Sequence, residues 1–80
     1  MTKNMNNDRR KEIRSVISEI EKLMDVVENI LEDEDVYRDL IPENLVGSKQ
    51  YENSEEASNN LQFALDYLED AIDSLQEIVD

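Results

Sequence analysis

Of the side chains able to do covalent or metal chemistry, this sequence keeps only carboxylates, hydroxyls and a few amines. Its 80 residues include no cysteine and no histidine. That removes thiol and imidazole nucleophiles, Ser-His-Asp triads, zinc sites of the usual ligand sets and the Glu-x-x-His di-iron bundle. It also removes any disulfide staple, and leaves cysteine usage silent about redox compartment. The densest group that remains is Glu32-Asp33-Glu34-Asp35, continued by Asp39 and Glu43.

Carboxylate-pair catalysis needs two acids in a cleft with well-separated pKa values, and a thin helical chain has no evident cleft. Calcium binding of the EF-hand type needs an Asp-x-Asp-x-Asp-Gly loop closed by a glutamate at its twelfth position, which the run lacks. No catalytic, cofactor-binding or metal-ligating residue is therefore expected, and the chain reads as a non-enzyme. Two readings of the acidic run stay open. It is a solvated helix end, or it is a phosphate-like row of charge offered to a basic groove. Four acids at a helix carboxyl end oppose the helix dipole. Arg38 and Lys49 are the bases in range to answer them.

The aromatic residues add contact chemistry. Tyr37 and Tyr51 flank the linker that follows the acidic run, and read as anchors for a partner. Tyr67 reads as bordering a core. Phe63, beside Asn59, Asn60 and Gln62, lies off the apolar seam and reads as an exposed or interface aromatic.

Charge narrows the choice of partner. With 21 acids against 8 bases the net charge is −13, which disfavours nucleic acid and anionic membranes as direct partners and favours a basic protein. The imbalance is uneven: residues 1–22 hold six bases and four acids, whereas residues 23–80 hold two bases and 17 acids. The amino-terminal ten residues are polar and lack the apolar run of a signal peptide, and nowhere do 18 apolar residues follow one another. A soluble, cytoplasmic protein is the expectation.

These residues must be positioned by helices. Ile13, Ile17, Ile20, Met24, Val27 and Leu31 are spaced by alternating fours and threes, a heptad seam, with Val16, Leu23 and Ile30 widening it. The same spacing recurs at Ala57, Leu61, Ala64, Leu68, Ala71, Leu75 and Ile78, widened by Leu65, Ile72 and Val79. The single proline, Pro42, and the single glycine, Gly47, lie between them. The expected domain is one all-α antiparallel hairpin: a helix over 8–40, a linker over 41–52 and a helix over 53–79. Asn7 or Asp8 would cap the first helix, and Asn53 with Glu56 would form a capping box for the second. Ile41, Leu45, Val46 and Tyr51 should fold the linker back over the hairpin end, with Gly47 at positive φ.

The antiparallel sense follows from charge, since it sets Arg9, Arg10, Lys11 and Arg14 beside Asp70, Asp73, Glu77 and Asp80. Two helices with wide stripes cannot bury both on each other. The expectation is a homodimeric four-helix bundle, with an oligomer core of Ile13, Ile17, Ile20, Met24, Val27, Leu61, Leu68 and Leu75. The alternative is that the surplus face awaits a different protein.

The stretch Tyr37-Arg38-Asp39-Leu40-Ile41-Pro42-Glu43-Asn44-Leu45-Val46-Gly47-Ser48-Lys49-Gln50-Tyr51-Glu52, with the acidic helix after it, resembles a group of small acidic helical-hairpin proteins of Firmicutes and their phages. The likeness covers roughly residues 30–80. It rests on the Pro-Glu-Asn-Leu corner, the Gly-Ser step and the Tyr-Glu that follows, with Ile41 where leucine is more usual. That group has no established catalytic residues, so none carries over. The resemblance implies a phage or mobile-element setting, in which small acidic proteins inhibit host defence or regulate nucleic-acid enzymes. Two functions follow as expectations. One is an acidic inhibitor, acting like a nucleic-acid mimic, that covers the basic surface of a host nucleic-acid-binding protein through Glu32, Asp33, Glu34, Asp35, Tyr37, Asp39, Glu43 and Tyr51. The other is a structural or assembly oligomer with no inhibitory role.

Overall fold

A computed structural model describes residues 6–80. The chain forms two long helices, α1 (Asn7–Asp39) and α2 (Lys49–Val79), joined by a corner that holds a short 3-10 turn at Glu43–Leu45. The helices pack side by side along their length, with the corner of Leu40 to Ser48 at one end. The described residues contain no strand. No described helix is long and apolar enough to cross a membrane.

Each helix starts where a short polar side chain replaces the missing intrahelical acceptor. Asn6 caps α1, its Oδ1 accepting the Arg9 N–H at 2.9 Å. The cap thus falls one residue before the expected Asn7, which is already helical. At the other end Leu40 closes α1, its N–H reaching back to Val36 and Tyr37, and Pro42 then prevents continuation.

The second helix begins four residues earlier than expected. Gly47 adopts φ +93°, as its sequence position suggested, and this turn presents Ser48 in an extended conformation. Ser48 Oγ accepts the Tyr51 N–H at 3.2 Å. Lys49 to Glu52 contain no helix breaker, so once Ser48 caps, nothing delays the helix until Asn53. Asn53 is an exposed residue within the second turn. The corner folds back only in part: Ile41 and Tyr51 are half-buried, while Leu45 and Val46 remain exposed.

The inward seam of α1 is as expected. Ile17 is buried, and Ile13, Ile20, Met24, Val27 and Leu31 are half-buried behind it. On α2 the roles of the two overlapping stripes are exchanged. Leu65, Ile72 and Val79, expected as the widening row, are the buried residues. Ala57, Ala64 and Ala71 sit at the flank, half-buried, and Ile78 is exposed. Both stripes share Leu61, Leu68 and Leu75, so spacing alone does not choose between them. The larger side chains take the inward place because they remove more apolar area from water than alanine does.

At the open end of the hairpin, α1 meets the carboxyl end of α2 as the antiparallel sense requires, but not through carboxylates. Arg10 Nη1 donates to the Ile78 and Val79 carbonyls at 3.3 and 3.4 Å, and Arg14 Nη2 donates to Val79 at 3.4 Å. The last carbonyls of a helix lack intrahelical donors and carry the negative end of its dipole, so guanidinium groups serve them as a cap. Among the described residues the ion pairs are Lys22–Glu19 and Arg38–Asp35, both within α1.

Candidate interaction surfaces

Near the corner the inward seam turns from apolar to polar. Continuing α1 by the same steps brings Glu34 and Arg38 inward, where they meet Ser54 and Ser58 of α2, which are both buried. Arg38 Nη1 donates to Ser58 Oγ at 2.8 Å, to the Ser54 carbonyl at 3.1 Å and to Ser54 Oγ at 3.4 Å. Its Nη2 donates to Asp35 Oδ1 at 2.7 Å. Each serine hydroxyl accepts from the guanidinium and donates its single proton to an acid, Ser54 to Glu34 at 2.6 Å and Ser58 to Asp35 at 2.7 Å. The hydrogen bonds from Ser58 and Arg38 hold the Asp35 carboxyl below the usual aspartate range, against a smaller opposing effect of desolvation. The Asp35 carboxylate in turn raises the Arg38 guanidinium.

This layer redistributes the acidic run. Consecutive residues of a helix step by about 100° around its axis, so four in a row cannot form one face. Glu34 and Asp35 are committed to Ser54 and Ser58. Glu32 and Asp39 point toward one side of the hairpin and Asp33 toward the other, and Glu43 lies in the corner turn, exposed. Arg38 answers Asp35, as its position allowed. Tyr37 is exposed and its hydroxyl accepts a hydrogen bond from Gln50. Tyr51, in the first turn of α2, is half-buried. Phe63 is exposed as expected, whereas Tyr67 is 70% exposed and borders no core, because its row lies two steps outside the inward seam.

The hairpin has two unlike long sides. On one, Glu21, Asp25, Glu28, Glu32 and Asp35 of α1 face Gln62, Asp66, Glu69, Asp73 and Gln76 of α2 across a shallow open groove. Met24, Leu31, Leu65 and Ile72 form its floor, and no lysine or arginine lines it. On the opposite side lie the residues that each precede an inward one: Val16, Leu23, Ile30 and Tyr37 of α1 and Ala57, Ala64, Ala71 and Ile78 of α2. In an antiparallel pair these rows adjoin one another. Val26 and Tyr67 extend them outward, both exposed.

Neither serine of the polar layer was singled out from sequence. The available signal was the inward seam itself, which, carried back by threes and fours from Leu61, reaches Ser58 and Ser54. Among the described residues no three acids are grouped so as to hold a metal ion. No family model matches the chain, nor does any curated protein or solved structure.

Proposed function

We propose that this chain is a non-enzymatic acidic binding protein that covers a basic, nucleic-acid-binding surface of another protein, working as a homodimeric four-helix bundle. The observation that carries the reading is the segregation of charge. A groove that runs along about half of each helix, from Glu21 to Asp35 and from Gln62 to Gln76, presents carboxylates from both of them with no intervening base. Two roughly parallel lines of negative charge on a rigid rod offer a basic cleft what the two phosphate strands of a duplex offer it. The setting is that of the resemblance: a phage or mobile element in a bacterial cytoplasm, with a nucleic-acid-binding host defence protein as target and an inhibitory, anti-defence outcome. No cofactor, direct nucleic-acid contact or membrane contact is part of it. Glu28, Glu32, Asp66 and Glu69 carry the charge, with Asp39 and Glu43 continuing it and Tyr51 as an anchor at the corner; Tyr37, expected as a second anchor, lies on the opposite side.

The test is capture of partners from host lysate by the tagged protein at about 0.1 M and about 0.5 M salt, between which the Debye length falls from about 10 Å to less than half that. A nucleic-acid-binding protein should be retained at the lower salt only and released by added duplex DNA. Glu32→Lys combined with Asp66→Lys should abolish its capture. Salt-resistant capture that survives this double reversal sinks the proposal.

The apolar, charge-poor opposite side favours a second reading, a structural or assembly oligomer in which the acids confer solubility alone. Under it, the double charge reversal leaves activity intact, and replacing Leu23 and Ile30, exposed on that side, by glutamate abolishes it.

A further inference from the structure

We infer that the charge-poor, apolar side of the hairpin is the surface on which a second copy of this chain docks, so that both acidic grooves face outward in opposite directions. The inference rests on the homodimer of the proposed function and names its interface.

A single hairpin buries little. Among the described residues its buried apolar side chains are Ile17, Leu65, Ile72 and Val79, few for a chain of this length. Yet Leu23 and Ile30 remain 56% and 48% exposed, and Val16 and Val26 are similarly uncovered. The placement of charge marks which side is meant to be covered. More than a third of the chain is charged, but from Val16 onward the rows on this side carry only Glu19 and Asp33 on α1, and none on α2. A partner of opposite charge would find only these two isolated carboxylates to grip there. A neutral, apolar partner surface is required, and the chain's own face is one.

Shape and area agree. The α1 rows carry large side chains and the adjoining α2 row carries Ala57, Ala64 and Ala71, so one copy offers both ridge and recess and is self-complementary. Two helices of 31 and 33 residues lying side by side present a face on the order of 900 Å², from 1.5 Å rise per residue and a helix diameter of about 10 Å. Pairing two such faces buries an area within the range of stable protein interfaces, about 1,200–2,000 Å² in total. The groove side cannot serve, because pairing it would bring two lines of carboxylates together.

Because the chain has no cysteine, single cysteines report coverage directly. In purified protein, the alkylation rate of a Leu23→Cys variant should fall about tenfold or more as concentration rises, since access governs thiol reactivity. A Glu28→Cys variant, in the groove, should react at one fast rate throughout. Sedimentation of the unmodified chain should give twice the monomer mass, with association strengthened by salt, because two copies of charge −13 repel each other. A Leu23→Glu, Ile30→Glu double variant should sediment as a monomer. Monomeric mass at all concentrations, or protection of Glu28→Cys in place of Leu23→Cys, overturns the inference. Labelling uses the purified chain alone and partner capture uses lysate, so the inhibitor reading can fail while the dimer face stands, and the reverse.

Discussion

The serine hydroxyls at the corner end carry more of the fold's specificity than their size suggests. Ser58 accepts from a largely buried guanidinium and donates to Asp35, so its removal leaves charged groups short of a partner. Ser58→Ala should cost about 1–3 kcal/mol in chemical denaturation, more than an exposed serine such as Ser18, whose replacement should be close to neutral. The Asp35 carboxyl, held below its ordinary value chiefly by the Ser58 hydroxyl, gives this cost a pH signature. A depressed folded pKa contributes stability above the unfolded value of about 3.9, lost as pH falls through the folded value. The stability difference between the parent and Asp35→Asn should therefore be full at neutral pH and shrink below about pH 4; a constant difference across that range would count against the layer. Little of this was legible beforehand. The acidic run was read as one unit because its residues are adjacent in sequence, whereas a helix spreads neighbours around its axis. Serine fits both an exposed and a buried helical position, so its type gives no warning of burial.

At the scale of the elements, the two helices were plain in the spacing, because periodic apolar residues over four or more turns have few alternative readings, and their antiparallel sense was read from the placement of charge. The start of α2 was not. Two capping signals compete, Ser48 after Gly47 and Asn53 before Glu56, and the nearer one to the turn wins because nothing between them stops the helix. Ser48→Ala should accordingly lower stability by about 1 kcal/mol, while Asn53→Ala, at an exposed mid-helix position, should be neutral or slightly stabilising; thermal melts followed by circular dichroism distinguish them. The choice of inward row on α2 was equally hidden. Leu61, Leu68 and Leu75 belong to both candidate seams, and only packing against α1 shows that Leu65, Ile72 and Val79 turn inward. The amino-terminal arginines were placed at the right end for an incomplete reason. They serve backbone carbonyls, which a reading of side-chain charge does not count.

For the whole molecule, the segregation of charge means that stability and solubility pull against each other. Thirteen net negative charges on a narrow rod repel one another in the folded state more than in an expanded chain. Raising salt from about 0.05 M to about 0.5 M should raise the melting temperature by several degrees. A fall in melting temperature over that salt range would indicate that ion pairs, not burial, hold the rod together.

The arginine cap at the open end bears on how the hairpin closes. The corner joins the helices through only a few residues, so the first contacts between them carry a small loop-closure cost, and the polar layer lies close by to fix the alignment. Pairing can then run from the corner outward as a zipper, each turn bringing the next into reach. Arg10 and Arg14, far along that path, engage the end of α2 only once every intervening turn is in register. They act as a latch that reports correct alignment, since a slip of one turn would carry the Val79 carbonyl about 5 Å out of their reach.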